Sequence, residues 1–448
     1  TRAGSILDAQ AAETNGSGAD NVRARAVDLD ANGLASSIGT SDNWFEIDSS
    51  RSSTGETGVA AGGDDIGLEA GSEIFVEETD GYMRVVLAHS YGGSTEGDGT
   101  IRLQVRESAD LDEDFILVAS GSARFAQTDS RGPGDHDDDP RAIANGTIFS
   151  EANGDVLIKV GDDVETSSNS QILSARDIVI DGDVNDADTG HGTDMTLRGR
   201  LIAGLNLLVA GSQSGGVPIG VAAPTFLAPV YRTLVRGNGD SDRIQFGDAS
   251  GITGGTALGD DGYIFIGSRT QVEGAGNEDM LSVYYLQDTA TVTSPSQLKA
   301  LELLGHENAL HTLRLDGQAG TDTYVVHTMG SNGADFRNYI INALDTSAPD
   351  DGVDEMFIYG NDAATNGIDP TTGEAYATDD IVLFRAANWL PGEAADRPGY
   401  VAFLHGDEAR YRDVTTGNEA SAEVQRISYD TAMNGRVTVE TLGGNDAV

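Results

Sequence analysis

The sequence predicts an all-β chain and, within that class, a right-handed parallel β-helix: a solenoid with protruding loops and at most one or two short helices. Three observations carry this. Short β-branched or Leu-rich runs such as Asp155-Val-Leu-Ile-Lys-Val160, Asp177-Ile-Val-Ile-Asp181 and Thr193-Asp-Met-Thr-Leu-Arg-Gly199 are broken by Gly, Asp and Asn, the pattern of strands between tight turns. Their centres, near Ile158, Val179 and Leu197, recur at roughly the twenty-residue period of a coiled rung. Gly 58 against Pro 10 supplies the conformational freedom that many tight corners need.

Taken in order, Ile6-Leu7, Ala26 to Ala31, Ile66 to Ala70, Ile74 to Val76, Met83 to Leu87, Ile101 to Val105 and Phe115 to Val118 read as strands. Leu68, Val85 and Leu103 again fall about one rung apart. Gln127 to Gly154, with Asp135-His-Asp-Asp-Asp-Pro140, is too polar for core and reads as a loop or linker. Rungs resume at Val156 and run to Val209. Gly211 to Tyr231 is a Gly/Pro-containing apolar excursion, and an exposed patch there would be an interaction surface.

Strands return at Arg243 to Phe246, Tyr263 to Ile266, Leu281 to Leu286, Thr312 to Leu315, Thr323 to Val326, Tyr339 to Ile341, Glu355 to Tyr359, Ile381 to Phe384, Tyr400 to Leu404 and Arg436 to Val439. Pro295 to Leu304, with Ser294 as N-cap and Gly305 as C-cap, is the one helix expected, another apolar rung being the alternative. The chain thus divides into rungs over 1–126, an acidic loop or linker over 127–154, rungs over 155–290 with an excursion at 211–231, and a continuing solenoid over 291–448. It begins with Thr and stops inside a turn-plus-strand unit, so a longer parent polypeptide is expected.

Composition narrows the function classes. Lys+Arg 27 against Asp+Glu 73 gives a net charge of −46, which disfavours nucleic acid and anionic membrane surfaces as partners and favours cations. The bland alternative is a solvated acidic surface. Without cysteine there are no disulfides, thiolate metal sites or thiol nucleophiles. Val217 to Tyr231, the longest apolar candidate, is interrupted by three prolines and too short to cross a bilayer, so no membrane insertion is expected.

Four segments share one grammar of Gly, small or polar residues, Asp, one residue, then an apolar residue. They are Gly239-Asp-Ser-Asp242-Arg-Ile244, Gly276-Asn-Glu-Asp279-Met-Leu281, Gly317-Gln-Ala-Gly320-Thr-Asp322-Thr-Tyr324 and Gly443-Gly-Asn-Asp446-Ala-Val448. Glycine permits a sharp turn, carboxylate and carbonyl oxygens can face an ion, and the apolar residue drops into the core, so calcium is the expected cofactor. Its candidate ligands are Asp240, Asp242, Asp279, Asp322 and Asp446, with Asx-turns that hold no ion as the alternative. The turn Asp181-Gly-Asp-Val-Asn-Asp-Ala-Asp188 adds Asp181, Asp183 and Asn185 at alternate positions, although it lacks the glycine and glutamate of an EF-hand. Asp350, Asp351 and Asp354 read as a solvated loop.

The set Gly4-Ser-Ile-Leu-Asp8, Val160 to Thr166 with Ile178 to Asp183, Leu315 to Val325, Ser347 to Asp354, and Asn434 to Val439 before Leu442 to Asp446 resembles giant bacterial exoproteins. In these, filamentous-haemagglutinin-like β-helical repeats are joined to RTX-type calcium-binding turns. The resemblance implies secretion, a cell-surface or matrix role, and membership of a long repetitive polypeptide. The corner turns here are sparse rather than tandem, unlike an RTX block.

No catalytic constellation emerges. His306-Glu-Asn-Ala-Leu-His311 misses the zinc-protease spacing, because histidines five apart do not share a helix face. His89, His136, His191, His327 and His405 are scattered and expected at surface or turn positions. The expected function is therefore a secreted structural repeat protein, not an enzyme: a cell-surface layer, extracellular fibre or adhesin stalk, stabilised by calcium. Its expected partners are other copies of itself or adjacent segments of a longer chain, met end to end, with surface polysaccharide as a further candidate. The alternatives are a β-helical polysaccharide lyase or hydrolase, or a carbohydrate-binding adhesin module using Trp44, Trp389 or the Tyr284-Tyr285 pair.

Overall fold

Aliphatic side chains stack on like side chains from one strand to the next. In the computed structural model of the chain, Ile74, Ile101, Val156 and Ile178 are aligned by strand register and fully buried, as are Val76, Leu103, Ile158 and Ile180. Each contributes about 1.5–3 kcal/mol of burial to a continuous apolar column. The structure describes residues 4–9, 20–31, 33, 35–49, 65–92, 98–108, 113–119, 143–151, 153–185, 190–204, 231–248, 264–266, 268–284, 286–287, 312–328, 339–346, 352–360, 380–387, 398–405, 423–443 and 446–448. Among them there is no helix, and the fold is all-β. The expected helix at 295–304, the excursion at 211–230 and most of the linker lie outside the described residues.

The strands are β1 (Val22–Arg23), β2 (Val27–Ala31), β3 (Phe45–Asp48), β4 (Asp65–Ala70), β5 (Ile74–Glu78), β6 (Met83–Ser90), β7 (Ile101–Val105), β8 (Phe115–Leu117), β9 (Thr147–Ser150) and β10 (Val156–Lys159). There follow β11 (Val164–Thr166), β12 (Gln171–Ser174), β13 (Ile178–Asp181), β14 (Asp194–Leu197), β15 (Gly199–Ile202), β16 (Arg232–Arg236), β17 (Arg243–Phe246), β18 (Ile264–Ile266), β19 (Arg269–Glu273) and β20 (Met280–Tyr284). The last are β21 (Leu286–Gln287), β22 (Thr312–Asp316), β23 (Thr323–His327), β24 (Tyr339–Leu344), β25 (Glu355–Tyr359), β26 (Asp380–Arg385), β27 (Gly399–His405), β28 (Glu423–Tyr429) and β29 (Val437–Glu440).

Two units separate, one over 1–195 and 200–235, the other over 196–199 and 236–448. In the first, one sheet runs β1-β3-β5-β7-β10-β13-β16, every third strand along the later chain. The second sheet runs β2-β4-β6 and then forks, because the first half of β6 pairs with β8 and its second half with β9. β11 continues from β8, while β12 and β15 continue from β9. All eight residues of β6 are buried: Tyr82, Val86, Ile116 and Val118 form a second apolar cluster besides the stacked interior.

In the second unit β17-β20-β23-β25-β29 form one parallel series and β19-β22-β24-β28 another. The latter ends in a meander, since β28 pairs with β27 and β27 with β26 antiparallel.

Four expectations change. The presumed linker at 127–154 contains β9, whose Thr-Ile-Phe-Ser run is buried between β6 and β12. Leu197 does not follow Val179 in one sheet: β13 leads to β16, and β14 lies beside β11. Likewise Leu103 pairs with Val76, whereas Leu68 and Val85 belong to the other sheet. Ile381 to Phe384 and Tyr400 to Leu404 are not consecutive parallel rungs but antiparallel neighbours. Alternation of apolar and polar residues identifies a strand and its two faces but carries no information about its direction or partner.

Candidate functional site

The Gly/Asp corners of the second unit form a connected structure. Six residues join β16 to β17, β19 to β20 and β22 to β23: Gly237-Asn-Gly-Asp-Ser-Asp242, Gly274-Ala-Gly-Asn-Glu-Asp279 and Gly317-Gln-Ala-Gly-Thr-Asp322. In each the second residue is left-handed, with φ of 86° at Asn238, 85° at Ala275 and 70° at Gln318. The final aspartate turns inward and is buried.

In the second and third corners it accepts a hydrogen bond from the backbone of the preceding corner. Asp242 N–H donates to Asp279 Oδ1 (2.9 Å), Asp279 N–H to Asp322 Oδ1 (3.0 Å) and Asp322 N–H to Asp354 Oδ1 (3.0 Å). Asn434 ends the series, accepting from Asp354 N–H at 3.1 Å and donating from Nδ2 to Gly352 O at 2.9 Å. Main-chain bonds run beside it: Met280, Thr323 and Glu355 N–H donate to the carbonyls of Asp242, Asp279 and Asp322. Each corner is thereby pinned to the next through both side chain and backbone.

The second carboxylate oxygen explains the glycines. A Cβ on Gly237, Gly274 or Gly317 would overlap Oδ2 of Asp242, Asp279 or Asp322 respectively. Glycine five residues ahead of the aspartate is therefore required by close approach rather than by a positive φ. Stacking buried carboxylates is electrostatically costly. Burial, opposed by the Asp242 backbone hydrogen bond and reinforced by the charges of Asp242 and Asp322, pushes the Asp279 carboxyl up to about 8. At neutral pH Asp279 is thus predominantly a neutral acid in the middle of the series.

These positions fit a calcium shell poorly. Asp279 and Asp322 spend Oδ1 on backbone donors, and Asp242, Asp279 and Asp322 press Oδ2 against glycine, whereas calcium takes six to eight convergent oxygens. Asp240 is half-buried in the first corner, and Asp446 is half-buried beside the bridge of Ala447 to Ile381. Among the described residues no group of three or more His, Asp or Glu side chains gathers in a metal-holding arrangement. Asp181 ends β13, and Asp183 and Asn185 lie in the turn that follows. Asp181 and Asp183 are buried there, and Asp183 and Asn185 are left-handed with φ of 43° and 89°.

Other side chains were not anticipated. Asp354, expected in a solvated loop, is fully buried as the fourth carboxylate of the series. His89, expected near the surface, is fully buried, with Nε2 3.2 Å from Glu151 and Nδ1 3.8 Å from Glu69. Its ring lies 5.5 Å from Phe149 in parallel stacking. His327 sits between Tyr284 and Tyr359 with ring centroids 4.4 and 4.6 Å away, and burial pushes its imidazole down to about 4. The three rings follow from register, since Tyr284, His327 and Tyr359 are aligned across β20, β23 and β25. Trp44 packs edge-on against buried Phe75; Trp389 and Tyr285 lie outside the described residues.

No family model, curated protein or solved structure matches the chain.

Proposed function

We propose that the chain is a secreted structural repeat protein: a right-handed parallel β-helix that builds a cell-surface layer, extracellular fibre or adhesin stalk and associates end to end. The observation that carries the reading is the corner series from Asp242 to Asn434, in which consecutive turns are locked by one side-chain and one main-chain bond at each step. Such a series resists shear between neighbouring rungs and has no evident catalytic use. Stacking of this kind also leaves strand edges that seek neighbours. The Tyr284–His327–Tyr359 rings turn their faces on one another, which argues against their use as a sugar platform.

Calcium enters the proposal at the Asp181–Asn185 turn, where two buried carboxylates meet left-handed backbone, in a chain carrying 73 acids against 27 bases. An ion bound only by the folded state would stabilise it by about 2.7 kcal/mol at a hundredfold excess over Kd. Electron microscopy and thermal unfolding of the chain with calcium and with chelator test both parts. Rod-shaped particles that lengthen with concentration and melt earlier under chelation are expected. Globular particles would remove the scaffold reading, and an unchanged melting temperature under chelation would remove calcium.

A further inference from the structure

The antiparallel meander of β26, β27 and β28 presents a face that pairs arginine with an aromatic ring. Register places Arg385 opposite Tyr400 and Tyr400 opposite Ser428, and beside them Leu383 opposite Ala402 and Ala402 opposite Arg426. The guanidinium carbons of Arg385 and Arg426 lie 5.0 and 4.9 Å from the Tyr400 ring centroid. β26 and β28 flank β27 on opposite sides, so each outer strand brings one guanidinium to the ring.

Both are ordered by neutral partners. Arg385 donates from Nε and Nη2 to the Pro398 carbonyl (3.1 and 2.6 Å), and Arg426 Nε donates to Ser428 Oγ (3.1 Å). Among the described residues neither forms an ion pair with a carboxylate, although the chain has 73 acids for 27 bases. Arg385 is exposed and Arg426 half-buried, so guanidinium donors remain for an incoming anion. Planar guanidinium groups bind carboxylates in forks, and stacking on an aromatic ring preorganises them.

We propose that this face docks a second copy of the chain, with Arg385, Tyr400 and Arg426 as the anchor for carboxylates on the partner's acidic surface and Leu383 as an adjoining apolar contact. The inference rests on the end-to-end association proposed above. Three observations select a protein occupant over an acidic polysaccharide. Two guanidinium groups already crowd the Tyr400 ring, which hinders the stacking of a sugar on it. Leu383, two residues before Arg385 and so on the same face, is 48% exposed. Arg and Tyr are the residue types that dominate protein–protein anchors. Charge complementarity comes from the molecule itself, at −46 overall. Long-range repulsion between copies is screened beyond about 8 Å at physiological salt, while contact pairs persist.

Sedimentation velocity of the full chain over a concentration series, at physiological and high salt, tests this. The wild-type chain should associate at physiological salt, where repulsion between copies of charge −46 is screened, and more weakly at about 1 M salt, where the Debye length of about 3 Å weakens the contact pairs too. Arg385→Glu with Arg426→Glu should weaken association at least about tenfold, and Arg385→Lys with Arg426→Lys should retain part of it. Circular dichroism and hydrogen exchange in β24 check that the fold persists; Leu383→Glu, at an exposed position, serves as a second disrupting variant if the double reversal unfolds. Association that both disrupting variants leave intact would overturn this docking face while sparing assembly itself. A wild-type chain that stays monomeric throughout would overturn both. Arg-dependent binding of polygalacturonate by a monomeric chain would overturn the choice of a protein occupant.

Discussion

Alanine at Gly317 would test whether the corner series is load-sharing or incidental. A Cβ there would lie 2.8 Å from Asp322 Cβ and overlap Asp322 Cγ and Oδ2. Asp322 has little room to yield, because its Oδ1 accepts from Asp279 N–H and its own N–H donates to Asp354 Oδ1, both at 3.0 Å. The Gly317 backbone is held as well, donating to the hydroxyl of fully buried Tyr324 at 2.9 Å, and that hydroxyl donates to Leu344 O at 2.9 Å. Relief requires either compression or rotation of Asp322 away from Asp279, which strands a buried N–H. Each route costs about 1–3 kcal/mol, so Gly317→Ala should destabilise the corner by about 1–3 kcal/mol. Asp322→Ala alone should cost about 1–3 kcal/mol by removing the acceptor. In that background Gly317→Ala meets no carboxylate and should add less than about 0.5 kcal/mol, a coupling of roughly 2 kcal/mol. Hydrogen exchange of peptides spanning β20 and β23 reads the local free energy without assuming that the whole chain unfolds in one step. Strictly additive costs in the double variant would refute the packing of glycine against carboxylate.

Three further predictions concern charge. Asp279 keeps a proton in the fold that the unfolded chain has released, so its contribution is present below about pH 4 and lost as pH rises through about 8. Asp279→Asn should flatten the fall in melting temperature between about pH 4 and 8, and an unaltered slope would contradict a raised acid there. His327 is held neutral by burial, so stability should fall as pH drops from about 6.5 through about 4. His327→Phe, which keeps the ring stack, should remove that acid limb in a pH-dependent melt. Asn434→Asp should destabilise by about 1–3 kcal/mol. It deletes the donor to Gly352 O and sets a charge beside Asp354; urea titration of the variant against wild type would show a lowered midpoint.

Much of the corner series was legible. Asp242, Asp279 and Asp322 stand out because glycine precedes each by five residues and a strand follows at once, a local pattern. Asp354 and Asn434 do not share it. The corner before β25 has Pro349 where the others have glycine, and Asn434 stands three residues ahead of β29 instead of one. The role of the aspartates was also illegible. Whether a buried Oδ meets an ion or an amide depends on partners 37, 43, 32 and 80 residues away along the chain. The Arg385–Tyr400–Arg426 cluster is hidden for the same reason, because it exists only once β26, β27 and β28 are antiparallel.

The sequence by itself determined the all-β class, most strand positions and the places where the chain must turn. Those depend on β-branched runs and Gly/Asp punctuation within a few residues. Tertiary structure alone decided which runs become neighbours, which sheet each joins and in which direction. Strand pairing is a long-range choice made by complementary buried faces. Hence Ile158 could be assigned to a strand in advance, whereas its alignment with Leu103 and Ile180, and the burial of His89 between two glutamates, required the fold.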